Sequence, residues 1–150
     1  MANPVHEVSV KGWIKKDNKF LLTRRGEDEE HNPGLWALPG GKVETTVEFL
    51  VLQKTLQREI TEEVGLEVAD DMQLVFNNSF TKPSGSHVIS ITLLCNWKSG
   101  EAQPQEDTAE VRWFSLGELQ NFTNPPDYLE KEISALVKYL ARLPKNGSRI

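Results

Sequence analysis

The stretch LPGGKVETTVEFLVLQKTLQREITEEVGL, residues 38–66, decides how the rest of the chain is read. Its second half, Arg58-Glu59-Ile60-Thr61-Glu62-Glu63-Val64-Gly65, sets three carboxylates at i, i+3 and i+4. On a helix that spacing puts Glu59, Glu62 and Glu63 on one face, about a turn apart. Like charges so placed repel by a few tenths of a kcal/mol per exposed pair, on the order of 0.2–0.5, and Arg58 is the one local cation. A solvated acidic face is the plain reading of such a pattern. A site for a hard divalent cation, Mg²⁺ or Mn²⁺, is the sharper one, because oxygen ligands around a cation turn the repulsion into attraction. The context favours the cation. Pro39-Gly40-Gly41 does not belong in a helix interior, since proline lacks a donor and glycine is costly there. It reads as a turn that delivers backbone close to the start of the helix.

Leu52, Leu56, Ile60 and Val64 recur at i+4 and form an apolar stripe, with Phe49 and Glu63 flanking it. Gly65 is the stop signal. The spacing predicts a helix over Thr46–Val64. Thr45-Thr46-Val47-Glu48 reads as a capping box, with Thr45 at the N-cap and Glu48 three residues on.

Upstream, residues 6–15 alternate in part and read as a strand. Asp17-Asn18-Lys19 signals a turn, and Phe20–Arg24 follows as the second arm of a hairpin. Arg24 and Arg25 end that arm, and neighbours on a strand point to opposite faces, so one at most faces a cleft. Residues 26–34 are polar and acidic, an exposed loop; His31 within it has no partner at ligand spacing. Trp36 is expected to pack under the helix rather than to stack on a base.

Downstream, residues 74–81 and 87–97 read as strands joined by Lys82-Pro83-Ser84-Gly85-Ser86. The run Val88–Leu94 is β-branched and mostly apolar, as in a central strand. Asn77 and Ser79 are polar strand residues expected at the surface. Residues 101–108 form a polar loop, and Glu110–Phe114 a further strand. Ser115-Leu116-Gly117-Glu118 is a second capping-box pattern opening a short helix to Phe122. Residues 129–143 form a last amphipathic helix with Ile133, Leu136, Val137 and Leu140 inward, and residues 144–150 a frayed tail. A hairpin, a long helix, several strands and then helices predict an α/β domain with a mixed sheet between helix layers.

With 150 residues and 38% hydrophobic content the chain suits one domain over its whole length, residues 1–150. A net charge of −5 speaks against a general binder of nucleic-acid polymers. It does not speak against a nucleotide, because a bound metal supplies positive charge locally. The single cysteine, Cys95, lies in an apolar run and reads as a small buried hydrophobe. No signal peptide and no membrane span is evident, which gives the expectation of a cytoplasmic protein with no membrane partner.

The segment R-E-I-T-E-E-V-G-L, with W-A-L-P-G-G-K-V-E before it, resembles the signature of the Nudix hydrolase superfamily. That pattern is G-x5-E-x7-R-E-U-x-E-E-x-G-U, where U is aliphatic. L-T-R-R before the loop and E-V-R-W-F-S-L near the end are similar to the MutT-like branch. One departure stands out. Counted from Gly41, the expected Glu falls on Val47, the nearest Glu is Glu48, and the spacing to Arg58 carries three extra residues. Either the loop after Glu44 or the start of the helix is therefore longer than in the family pattern.

The resemblance implies an α/β/α sandwich with the signature as a loop-helix-loop. It implies hydrolysis of a nucleoside diphosphate linked to a further group, with Mg²⁺ or Mn²⁺ held by Glu59, Glu62, Glu63 and the Gly40 carbonyl. Arg58 is expected to orient a carboxylate, and Glu62 or Glu63 to double as the base. Other family members place that base in a late loop, here Glu106, Asp107 or Glu110. Arg25 is the expected nucleotide contact. The MutT-like flavour favours a nucleoside triphosphate, including oxidised purine ones, cut to monophosphate and pyrophosphate. ADP-ribose, other nucleotide sugars and dinucleoside polyphosphates stay open. So do a homodimer and, from another class, a non-catalytic domain that senses a nucleotide. A structural Ca²⁺ site is disfavoured, since no Asp/Asn-rich twelve-residue loop is present.

Overall fold

In the computed structural model, which describes residues 3–28 and 33–144, eight strands build one mixed sheet with helices on both faces. The expectations for residues 29–32 of the acidic loop, His31 among them, and for all but the first residue of the tail lie outside the described residues. Strand β1 (Glu7–Lys16) turns at Asp17-Asn18 into β2 (Lys19–Arg25), with Lys16 opposite Lys19. Both turn residues take positive φ, 51° and 63°, as a two-residue hairpin matched to strand twist requires. Next come β3 (Trp36–Ala37), β4 (Gly40–Lys42), helix α1 (Val51–Val64), β5 (Glu67–Val68), β6 (Gln73–Thr81), β7 (His87–Ser99) and β8 (Thr108–Ser115). Helices α2 (Leu116–Gln120) and α3 (Asp127–Ala141) close the described chain.

Strand β7 is central. It runs parallel to β1 from Glu7↔Val88 to Lys15↔Asn96 and antiparallel to β5 and β6 on its other edge. Beyond the hairpin, β1 and β2 part company. β4 takes the freed edge of β1, from Ser9↔Lys42 to Lys11↔Gly40. β3 pairs with β2 through Thr23↔Ala37, and β8 covers the other edge of β2. The sheet is thus split between β1 and β2, and the short segment from Trp36 to Lys42 is wedged into the split.

Period-2 alternation sorts the side chains into two cores. Val10, Ile14, Leu21, Leu93 and Cys95 pack on Leu56, Ile60 and Val64 of α1. Their neighbours Trp13, Phe20, Leu22 and Leu94 pack on Leu119, Leu129, Ile133 and Leu136 of α2 and α3. This is the expected α/β/α sandwich, and Cys95 is buried in it as expected. Gly12 has no side chain because a Cβ there would come within 2.9 Å of Leu56 on the helix above.

Several expectations need correction. Helix α1 begins at Val51, not Thr46. Its N-cap is Leu50 in the left-handed region (φ 56°), with no side-chain cap. The Thr45/Glu48 capping box therefore does not form, and Glu48 instead lies 3.7 Å from Lys54. The three extra residues accordingly lengthen the loop after Glu44 rather than the helix. Phe49 does not flank the core stripe; it is 90% exposed, beside Val47 and Leu50, which are exposed too. Gly40-Gly41 is a strand paired to β1 rather than a free turn, and it meets the C-terminal half of α1 rather than its start. Trp36 packs away from α1, edge-on to Phe114 at 5.7 Å, with the Arg112 guanidinium over it. The Ser115/Glu118 capping box is present in full, although α2 ends at Gln120.

Candidate functional site

Helix α1 owes its position to its apolar stripe, and that position fixes its acidic residues. With Leu56, Ile60 and Val64 in the core, Glu59 and Glu63, one turn apart, lie at the margin of that face against β4. The Gly40 backbone N–H donates to Glu63 Oε1 at 3.3 Å. A Cβ on Gly41 would come within 2.5 Å of the Glu59 carboxyl, and one on Gly40 would collide with the β1 backbone. The Gly-Gly pair is therefore what lets β4 close simultaneously on the edge strand and on the two carboxylates.

The C-terminal end of α1 is held just as firmly. Gly65 takes the left-handed φ of 74° and returns its N–H to Thr61 O. Gln103 and Gln105 donate backbone N–H groups to Val64 O and Glu63 O at 2.9 and 3.0 Å, satisfying helix-end carbonyls. That docking carries Glu106, at φ 50°, and Asp107 toward the acidic face.

A cavity of about 220 Å³ results, lined among others by Arg25, Gly40, Glu59, Glu63, Glu106 and Asp107. Burial pushes the Glu63 carboxyl up to about 8, and the charges of Glu59 and Glu106 push the same way. The Gly40 N–H and the Arg25 guanidinium only partly offset this. Glu59 is also raised, by burial first and by Glu62, Glu106 and Glu44, against the pull of Arg58. Two carboxyls that cannot both ionise cheaply form a donor set that a hard divalent cation fits, since the cation neutralises what burial and repulsion penalise.

Not every expected residue enters this cavity. Glu62 stays 44% exposed on the helix surface, with its Oε2 3.9 Å from Arg58 Nη1. Arg58 Nη1 also donates to Glu59 Oε2 at 3.3 Å. Glu110 is engaged elsewhere, accepting from Arg24 Nε at 3.1 Å, and Arg24 also reaches Glu27. So of the two adjacent arginines, Arg24 ties loop to sheet while Arg25 faces the cavity. Gly40 presents its N–H to Glu63. Among the described residues no three His, Cys, Asp or Glu side chains are gathered tightly enough to enclose an ion.

Two residues were not singled out in the sequence. Tyr128 donates its hydroxyl to Trp36 O at 2.8 Å, pinning the wedge from the α3 side. Glu132 is 3% exposed. Its signal was available: it stands three residues after Leu129 and four before Leu136, on the inward stripe of α3, where an acid is unusual.

The NUDIX domain model matches residues 5–136. The chain is 40% identical over 117 residues to the ADP-ribose pyrophosphatase of Methanocaldococcus jannaschii, an overlap of 75% of this chain and 63% of that one. It is 28% identical over 130 residues to the 8-oxo-dGTP diphosphatase of Buchnera aphidicola subsp. Schizaphis graminum, covering 85% and 93%. The crystal structure of the MutT protein from Methanosarcina mazei Go1 superposes with a TM-score of 0.74 at 24% identity, over 93% of this chain and 99% of that one. That last likeness concerns the fold.

Proposed function

The chain belongs to the Nudix hydrolase family, and from that premise we propose a metal-dependent pyrophosphohydrolase that cleaves a nucleoside diphosphate linked to a further group. The observation that carries this reading is the pairing of Glu59 and Glu63, both held above the usual carboxylate range, across a cavity that Arg25 also lines. The family generally uses a divalent metal. Here Glu59 and Glu63, joined by Glu62 on the same helix face, would hold Mg²⁺ or Mn²⁺, and the Gly40 carbonyl is a further donor. Once bound, the metal would supply positive charge to offset that of the phosphate oxygens.

The chain's own groups do the rest. Arg58 holds Glu59 in place from the solvent side. Arg25 offers a fixed positive charge to a phosphate. Glu106 and Asp107, which line the cavity, are our candidates for taking the proton of the attacking water; the pairing of Glu110 with Arg24 favours them over Glu110. Glu62 or Glu63 serving as that base is the competing assignment.

Two substrate classes lead. Resemblance to the MutT-like branch points to a nucleoside triphosphate, oxidised purine ones included, cut to monophosphate and pyrophosphate. The 40% identity to an ADP-ribose pyrophosphatase points to ADP-ribose. We place ADP-ribose first, on the strength of that identity. The reading carries with it a small-molecule rather than polymeric partner and a cytoplasmic location, where free nucleotides are found. No described helix is long and apolar enough to cross a membrane. The test is product identification with Mg²⁺ and ADP-ribose, 8-oxo-dGTP, the dNTPs and a dinucleoside tetraphosphate. AMP plus ribose phosphate from ADP-ribose supports the leading choice. Nucleotide binding without turnover on any of them would instead make the domain a sensor.

A further inference from the structure

Along α3 runs a groove of about 420 Å³ that shares no lining residue with the acidic cavity. Its helical wall is Lys131, Ser134, Ala135, Lys138, Tyr139 and the C-cap Arg142, spaced i, i+3, i+4, i+7, i+8 and i+11 as one stripe. At about 1.5 Å per residue the stripe is roughly 16 Å long. The opposite wall is Leu74, Val75 and Phe76 of β6. That strand has β7 on one side and, among the described residues, no strand on the other. Its register slips between Leu74 and Phe76, Val75 turns into the α3 core, and Leu74 is left 56% exposed. The groove thus has an apolar wall facing a cationic one.

Its charge runs against that of the chain. The net charge is −5, yet Lys131, Lys138 and Arg142 are exposed, no carboxylate lines the groove, and among the described residues none of the three is ion-paired. Lys138 and Arg142 also complement the C-terminal end of the helix dipole. Lys131, near the other end of α3, has no such role. We propose that this groove docks an acidic amphipathic helix of a partner protein, its apolar face on Leu74, Phe76 and Ala135 and its carboxylates toward Lys131, Lys138 and Arg142. The proposal does not depend on the anhydride chemistry. Shape and charge select this occupant. A bilayer is flat, whereas the groove is concave. A lone phosphate reaches one or two of three cations spread over three helical turns. An added strand is opposed by the bulge, which blunts edge pairing. A second copy on a two-fold axis would bring the same cations to the same face. Nucleic acid is opposed by the overall negative charge. An acidic helix matches the length, the apolar wall and the cations together.

The experiment is fluorescence anisotropy with a fluorescein-labelled amphipathic peptide of Glu, Leu and Ala, about 18 residues long so that it can form a helix. EDTA keeps any metal from linking the peptide to the acidic cavity. Comparison peptides carry Lys in place of Glu, or Ser in place of Leu. The full chain is expected to bind the Glu/Leu peptide at micromolar concentration, more weakly as salt rises, and to bind neither comparison peptide measurably. Combining Lys131→Gln, Lys138→Gln and Arg142→Gln should weaken binding about tenfold or more, as three exposed charge pairs allow. Ala135→Glu keeps all three cations but sets a carboxylate in the groove, and it should weaken binding as well; thermal melts confirm that both proteins fold. The proposal is overturned if the Glu/Leu peptide does not bind at millimolar concentration, if the folded variants bind it as wild type does, or if the Ser-containing peptide binds equally well, which would reduce the groove to a diffuse charge contact. Sedimentation with phosphatidylglycerol vesicles in place of peptide binding, lost in the same variants, would overturn it in favour of a membrane contact.

Discussion

Replacing Glu63 by Gln should make the metal-free protein more stable at pH 8 while abolishing its turnover. The folded carboxyl sits at about 8 against an ordinary value of 4.5, chiefly because α1 and β4 bury it. Between those two pH values the folded state holds a proton that the unfolded state has released. Stability therefore falls as pH rises from about 4.5 through 8. At about 1.4 kcal/mol per unit the loss is capped near ~5 kcal/mol, and residual solvent access to a partly exposed side chain brings it to roughly 2–3. Gln keeps the shape and can still accept from Gly40 N–H, but it does not titrate. Urea unfolding in EDTA at pH 5, 6.5 and 8 reads the difference directly. Wild type should lose about 2–3 kcal/mol more than the variant across that range. Mg²⁺ should restore wild-type stability at pH 8 and bind less well as pH falls and a proton competes for the site. Parallel pH dependences in the two proteins would refute the claim that burial of Glu63 primes the site for a cation.

The paired arginines should separate cleanly. Arg25→Ala is expected to lower kcat/KM by at least tenfold in protein that circular dichroism shows to be folded. Arg24→Ala, which breaks the contacts to Glu110 and Glu27, should instead cost roughly 1 kcal/mol of stability, with activity near wild type. Gly41→Ala drives a Cβ into the Glu59 carboxyl, so Mg²⁺-dependent thermal stabilisation should largely disappear while the fold, checked by circular dichroism, survives. Leu50→Gly relieves a left-handed residue in the lengthened loop and should raise stability by about 1 kcal/mol, measured by chemical denaturation.

Most of the architecture could be read from local pattern, because each element carries its own period. The Asp17-Asn18 turn, the central apolar strand, the Ser115/Glu118 cap and the inward face of α3 are all decided by residues within a few positions of one another. The start of α1 was not legible. A Thr-x-x-Glu pattern is only a weak local preference, and here the chain reaches the helix through a left-handed Leu50 instead. The two-residue strand β3 and the three-residue β4 are set by the split between β1 and β2, and β5 by its pairing with β7, none of which a short window contains. The same holds for the site. The carboxylate spacing on α1 marks the face, but which acids share a cavity depends on how β4 and the 101–107 loop dock on that helix. That tertiary docking brings in Arg25, Glu106 and Asp107, and it leaves Glu62 at the surface and Glu110 with Arg24.

The central claim is that the cavity between α1 and β4 hydrolyses a phosphoric anhydride with a divalent metal. The most direct measurement is the product spectrum of wild type and Glu63→Gln incubated with ADP-ribose and with 8-oxo-dGTP, with Mg²⁺ and with EDTA, resolved by ion-exchange chromatography. The account predicts a nucleoside monophosphate and a second phosphorylated product from at least one substrate, in wild type with Mg²⁺ alone. Turnover that persists in EDTA or in Glu63→Gln, or no turnover of either substrate by wild type, would contradict it.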